Sequence, residues 1–383
     1  MKYVRFLMVF ATLIFSSRIF AFQFTFFDGL PSCPDKTQSC PAKTQTKVPD
    51  PYEYSPSWMA DIRKGYERVW WCGFKEGPIH PRLHAEQTIG GIRNFYGRDV
   101  IWYWDGTLTG PRVVLEPTEY WEGRYVCDPA VIYGVFSPPG MKKTYSMAMY
   151  YTATNGGMNT TETDTELRGV NNKIGVAFSN DGIHWDKYPG NPIILPAHPA
   201  SPAAKRYGAG QPQARNTNGR SHVTLWYTDT TIVAGKNRVA ELFADDGVHF
   251  SKDKINAVAK ADKEDLLSVA GFLRGQEIAS AGIALSPSAP WYLYLVFGDK
   301  SSKELSMYRI PYENRFTGRW EFIDRVRADD VGRQNVFEAG FRTGIYGNLF
   351  GYSWPTIFIG FGCGQYDNQR DTTTWDLCQA GGN

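Results

Sequence analysis

Residues Lys173–Trp185 read K-I-G-V-A-F-S-N-D-G-I-H-W. Ile174, Val176 and Phe178 alternate along one face of a strand. The strand ends at Asn180-Asp181-Gly182, where Asn and Asp tolerate a left-handed backbone and Gly adopts it without steric penalty. Trp185 follows the turn closely enough to fold its ring back over the hairpin. The same pattern returns at Arg238–Phe250, R-V-A-E-L-F-A-D-D-G-V-H-F, with Phe250 in place of the Trp. A looser copy, R-D-V-I-W-Y-W-D-G, occupies Arg98–Gly106. A strand–turn–aromatic unit used three times predicts a repeat fold.

Working outward, a second recurring feature organises the chain. Ahead of each such unit stands a residue plus Pro, a short apolar strand, and then an aromatic strand. The first repeat has Ser55-Pro56, then Val69–Gly73, then Asp99–Gly106. The second has Asp128-Pro129, then Tyr145–Ala153, then Lys173–Trp185. The third has Gln211-Pro212, then His222–Asp229, then Arg238–Phe250. Two fainter repeats follow: Ala279–Ser286 with Trp291–Asp299 and Leu305–Ile310, and Phe337–Thr343 with Thr356–Gly362. Pro and Gly punctuate turns throughout, and long helical periodicity is scarce. Five sheets of about four strands predict an all-β chain, a five-bladed β-propeller forming one domain over residues 51–383. Residues 22–50, rich in Pro, Lys and Thr, read as an extended N-terminal arm in which Phe22–Phe27 can pair as a strand.

Residues 1–21 have the basic start (Lys2, Arg5), apolar centre (Phe6–Phe15) and small final residue (Ala21) of a secretory leader. The apolar run is short for a bilayer span, so no membrane anchor is expected once the leader is removed. That removal takes away Lys2, Arg5 and Arg18 and no acid, moving the formal charge from +2 to −1. A near-neutral mature chain has no electrostatic case for nucleic acid. Localisation is therefore expected to be secreted or periplasmic. The six cysteines are an even number in an exported chain, which favours disulfides. Nearness in sequence suggests Cys33–Cys40 and Cys363–Cys378, leaving Cys72 with Cys127. No Cys-x-x-Cys pair is present, and Pro81 breaks the helix that His80 and His84 would need to share a metal. No metal or cofactor is expected.

Asp128-Pro129-Ala-Val-Ile, Tyr151-Thr152-Ala153, Ser179–Trp185, Asn191-Pro192-Ile193 and Tyr227-Thr228-Asp229 resemble blade signatures of the five-bladed glycoside hydrolases, families 43 and 32. The resemblance covers roughly residues 54–250. Ser179–Gly182 also resembles the sialidase Asp box but is one residue shorter between Asp and Gly. The resemblance implies carboxylates at a central funnel, near the start of the innermost strand of successive blades. Where the family has Asp-Pro in its first blade, this chain has Ser55-Pro56; Asp128-Pro129 is retained in the second. Where the third blade carries an acidic Glu, the chain has Gln211, whose amide cannot donate a proton as an acid does. The implied function is glycoside hydrolase-like processing of an oligo- or polysaccharide, the alternative being a lectin-like or protein-binding propeller.

Asp128 reads as a contact to a sugar hydroxyl or as a cap at the start of its strand, and Asp229 as a catalytic group or a turn residue. Glu277, in Arg274-Gly-Gln-Glu277-Ile, is the best spare carboxylate for a displaced acid or base. Gln211 and Ser55 read as substrate-binding residues, as do Trp58 and Trp104, which flank turns. Trp70, Trp102 and Trp226 read as core. Asp61, Asp105, Asp181 and Asp246 read as turn formers. An exported chain with paired cysteines carries no free thiol, so thiol titration of the denatured, unreduced protein should find none. Two or more titratable thiols would contradict export into an oxidising compartment.

Overall fold

A computed structural model describes residues 24–27, 53–75, 98–108, 110–123, 125–154, 171–198, 208–233, 236–250, 266–267, 280–298, 302–316, 318–350, 357–367 and 372–382. These residues hold twenty β-strands, three single-turn 3₁₀ helices and no α-helix. Cys33, Cys40, His80, His84 and Glu277 lie outside the described residues, as does the leader.

The strands fall into antiparallel units of four. The first unit is β2 (Glu53–Asp61), β3 (Tyr66–Lys75), β4 (Arg98–Trp104) and β5 (Arg112–Leu115). The second is β6 (Tyr125–Phe136), β7 (Tyr145–Thr154), β8 (Lys173–Ser179) and β9 (Asp186–Lys187). The third is β10 (Ala209–Asn216), β11 (Val223–Val233), β12 (Lys236–Ala244) and β13 (Leu266–Leu267). The fourth is β14 (Ser280–Leu285), β15 (Tyr292–Gly298), β16 (Glu304–Pro311) and β17 (Glu321–Arg327). The last is β18 (Asn335–Gly344), β19 (Phe358–Asp367) and β20 (Thr372–Gly382), completed by β1 (Phe24–Phe27) from the start of the chain. The strand triplets read from the first three repeats coincide with β2–β4, β6–β8 and β10–β12. The fainter repeats coincide with β14–β16 and with β18 and β19.

The first strands of successive units lie side by side: β2 with β6, β6 with β10, β10 with β14, β14 with β18, and β18 with β2. The last of these contacts is a short parallel ladder, Arg342–Gly344 against Trp58–Ala60. Close approach between first strands demands glycine. A Cβ on Gly340 would fall 2.0 Å from the Pro56 carbonyl oxygen, and one on Gly282 would fall 2.3 Å from that of Ala339. Beside these strands the core is aromatic, with Trp70, Trp71, Trp226 and Trp320 almost wholly buried. Trp102 is partly buried against the Trp58–Val69–Trp71 cluster, as expected of a core residue.

The repeated turn is built from the same bonds each time. Asp181 Oδ1 accepts the backbone N–H groups of Ile183 and His184, both at 2.8 Å. Asp246 Oδ1 accepts those of Val248 and His249, and Asp105 Oδ1 those of Thr107 and Leu108. A side chain that closes its own loop in this way is a turn former, as read from the sequence. Trp185 does fold back: its Nε1–H donates to Gly182 O at 3.0 Å, and its ring meets Trp70 of the first unit edge-on. Asp61 likewise closes the β2–β3 turn, its carbonyl accepting from Lys64 and Gly65. Its buried carboxylate accepts the Tyr133 hydroxyl at 2.7 Å beside Arg68.

Among the described residues two disulfides are present, Cys72–Cys127 and Cys363–Cys378, both pairs suggested by the sequence. Cys363–Cys378 links neighbouring strands of one unit, whereas Cys72–Cys127 ties β3 of the first unit to β6 of the second. Asp99 lies against the latter pair, and sulfurs joined to each other leave that group no thiolate for a metal.

Asp181→Ala removes both acceptor bonds and should cost about 1–2 kcal/mol in urea-induced unfolding, with Asp181→Asn losing less because its carbonyl oxygen still accepts. Equal stabilities for wild type and Asp181→Ala would show that these bonds do not hold the repeat.

Candidate functional site

Four of the five first strands carry the same irregularity. In β2 the register with β3 shifts between Tyr54 and Ser57, so Ser55 and Pro56 together oppose Trp71. In β6, Asp128 and Pro129 oppose Tyr151; in β10, Gln211 and Pro212 oppose Tyr227; in β18, Glu338 and Ala339 oppose Phe361. Each is a β-bulge, two residues facing one, which turns the extra side chain out of the pleat. The facing residue is a buried aromatic in every case. Proline fits at three of the four because a bulged residue donates no ladder hydrogen bond. The first bulge residue is left-handed throughout: φ is +54° at Ser55, +51° at Asp128, +54° at Gln211 and +43° at Glu338. Such a backbone costs an L-residue about 1–2 kcal/mol. Four matched instances at non-glycine residues point to a requirement of the site.

The bulges aim these side chains at one another. The Asp128 carboxylate is hydrogen-bonded by the hydroxyls of Ser55 and Thr152 and by the backbone N–H of Gln211, with the Glu338 carboxyl against it. The Gln211 N–H also reaches Thr152 Oγ1 at 2.8 Å. Gln211 Nε2 donates to Glu338 Oε1 at 3.1 Å, while Gln211 Oε1 accepts the Thr228 hydroxyl at 2.9 Å. Glu338 Oε2 is buried and completes no well-aligned hydrogen bond among the described residues, although Asp128 and Ser55 both lie against this carboxyl. Ser55, Asp128 and Gln211 thus meet, and Glu338 joins them.

Electrostatics separate the two acids. Burial is the largest effect on each, and it raises both carboxyls above their ordinary values. For Asp128 the hydroxyl and amide donors pull the other way. For Glu338 the neighbouring Asp128 charge adds to burial, so its carboxyl is pushed far up. Of the two, the Glu338 carboxyl is the one held more firmly toward its protonated form, by burial and by the Asp128 charge beside it. Tyr125, partly buried nearby, is raised by burial and then by Asp128, Glu338 and Asp99.

The remaining sequence-derived candidates lie elsewhere or do other work. Asp229 is fully buried and stands opposite Ala209, two residues before Gln211. Its carboxylate is engaged by the backbone N–H of Ala197 at 2.9 Å and by the N–H and hydroxyl of Thr231 at 2.7 and 2.6 Å. It ties a loop, as a turn residue would. Trp58 is 6% exposed, donates to Glu67 at 2.6 Å and packs edge-on against Phe358, so its ring is a packing surface. Trp104 belongs to the same apolar cluster and pairs with Val69, toward the end of the unit opposite Ser55. Glu338 is the site residue that sequence reading missed. Its strand had been placed at Phe337–Thr343, but the bulge lacks the Pro that marks the other three.

Glu338 bound to its proton favours the folded state. That contribution is fully present below the unfolded-state carboxyl value, about 4.3, and is lost as pH rises through the raised native value. Glu338→Gln mimics the protonated acid and removes this loss. Thermal melts from pH 5 to 9 should show its melting temperature gaining on wild type as pH rises. Parallel profiles would contradict the raised carboxyl value.

No family model matches the chain, and no curated protein matches it. Among solved structures it is similar to an α-L-arabinofuranosidase from Podospora anserina, solved in complex with cellotriose: 9% identity, TM-score 0.49, over 95% of this chain and 97% of that one. It is similar to an α-L-arabinofuranosidase from Lactobacillus brevis at 9% identity and TM-score 0.47, over 86% of this chain and 91% of the other. It is also similar to a sucrose-6-phosphate hydrolase from Lactobacillus gasseri at 11% identity and TM-score 0.49, over 85% of this chain. The chain spans only 57% of that hydrolase's length. With identities of 9–11% and TM-scores under 0.5, these likenesses are remote ones.

Proposed function

We propose that this chain is an exported five-bladed β-propeller that binds carbohydrate where Ser55, Asp128, Gln211 and Glu338 meet, at one end of the ring axis. The observation that carries the reading is the set of four matched left-handed bulges converging on a single hydrogen-bonded cluster. Four units in the same strained conformation, each supplying one polar side chain, build a site that no single unit would make. The groups that bear most on the acid pair are hydroxyls, an amide and carboxyls, which match the alternating donors and acceptors of a neutral polyol. Glu338 Oε2, buried and without a well-aligned hydrogen bond among the described residues, is an atom that a ligand hydroxyl would satisfy.

Binding fits this geometry better than hydrolysis by the same pair. A glycosidase holds its two carboxyls about 5–10 Å apart, leaving room for the sugar carbon or for water. The Asp128 and Glu338 carboxyls instead lie against each other. A second reading, a hydrolase, is favoured by Glu338 itself: burial pushes its carboxyl well above the ordinary value, the direction that a general acid requires. Its water-activating partner would be a carboxylate outside the cluster, for which Glu277 is the candidate.

A glycan panel that records binding and product release together tests both. Binding without turnover is expected, with Asp128→Asn and Gln211→Ala each weakening affinity about tenfold or more, the worth of a hydrogen bond to a charged or buried partner. Product formation abolished by Glu338→Gln or Glu277→Gln would establish the hydrolase. Glycan binding untouched by Asp128→Asn would place the ligand elsewhere.

A further inference from the structure

The bulges have a second repeated feature, in the strand beside them. The residue paired with the position before each bulge is Cys72 in β3, Thr152 in β7, Thr228 in β11 and Gly362 in β19. Cys72 is committed to its disulfide and Gly362 has no side chain, so only the second and third units place a hydroxyl there. Thr152 serves Asp128 and the Gln211 backbone. Thr228 is 5% exposed, and its Oγ1 lies 2.9 Å from Gln211 Oε1 and 3.2 Å from Gly210 O.

We infer that Thr228 is the positioning residue of the site: its hydroxyl fixes the Gln211 amide so that Nε2, and not Oε1, faces Glu338. A primary amide is nearly symmetric in shape, and only its partners decide which end points where. With the single Thr228 hydroxyl proton given to Oε1, the nearer acceptor, and not to the Gly210 carbonyl, the amide donates onward. The order then runs from Thr228 to Gln211 to Glu338 to Asp128, three units in one direction, with Ser55 and Thr152 donating to the same terminal carboxylate. Donors from these units thus converge on the acid pair, and the Gln211 amide donor opposes the rise that burial and Asp128 give the Glu338 carboxyl. Reversing the amide would set its oxygen against the Glu338 carboxyl, so that the acid would hold its proton more tightly. The titratable groups against Glu338 are Asp128 and Tyr125, both from β6, with Asp99 of β4 behind Tyr125; β2 and β10 contribute the neutral Ser55 and Gln211.

The inference rests on the site assigned above for its importance to ligand, but its test needs no sugar. Thr228→Val keeps the shape and deletes the hydroxyl; Thr228→Ser restores it. The infrared C=O band of the buried protonated carboxyl, assigned by its loss in Glu338→Gln, is followed against pH. Wild type and Thr228→Ser should lose the band at the same pH. In Thr228→Val the loss should move upward by about half a pH unit or more, the equivalent of one modest hydrogen bond. Gln211→Leu, which removes the amide altogether, should move it the same way and carries the test if Thr228→Val fails to fold. Thr228→Val titrating with wild type, or Gln211→Leu leaving the band in place, would overturn the proposal. An upward shift in a protein that binds no glycan would support the positioning role while overturning the ligand reading alone.

Discussion

The structure depends on a local compromise repeated four times: two residues of a first strand set against one buried aromatic of the second. Trp71, Tyr151, Tyr227 and Phe361 fill the space that each bulge opens, and each ring buries enough apolar surface to offset the cost of the left-handed residue it faces. The strain is therefore affordable only in this packing. Because the bulge sits at the same register in each unit, and the first strands are neighbours, the released side chains have nowhere to point but toward each other. Glycine at Gly282 and Gly340 lets those strands approach closely enough for the side chains to touch.

That arrangement sets Asp128 and Glu338 apart from the buried acids that are paired with cations. Glu241 is met by the Arg315 guanidinium and by Trp226 Nε1, Glu122 by Lys187, and Asp61 by Arg68. Each of those carboxylates has a cation, and breaking such a pair would leave an uncompensated buried charge, so their work is architectural. Asp128 and Glu338 have each other, two hydroxyls and an amide. A protein that could have neutralised this spot with one arginine has instead kept it polar, with its two carboxyls side by side, the condition under which buried acids are most often functional. The Cys72–Cys127 disulfide lies one residue from Asp128 and holds the first and second units in register at that point.

Much of this was legible in the sequence because the signals were local. Alternating strands, Asp-Gly turns and the X-Pro pairs at Ser55, Asp128 and Gln211 mark positions whose geometry is fixed by a few neighbouring residues. Proline in a strand was the informative clue, since it reports a missing ladder bond and hence a bulge. Glu338 was hidden because Ala339 follows it, and nothing in Phe337-Glu338-Ala339-Gly340 announces a bulge until β19 is laid against it. The tryptophans misled for a related reason: Trp58 and Trp104 flank turns, but which side of a sheet their rings cover is decided by Phe358 and by the Trp58–Val69–Trp71 cluster. Partner identity of this kind is set by contacts far apart in sequence, as in Gln211 with Glu338, separated by 127 positions.

The most direct test of the central claim is a crystal structure of the protein soaked with an oligosaccharide that it binds. The account predicts a sugar hydroxyl within hydrogen-bonding distance of Glu338 Oε2 or the Asp128 carboxylate, with the four bulges unchanged. A sugar bound at any other surface, with the Ser55–Asp128–Gln211–Glu338 cluster closed and untouched, would contradict it.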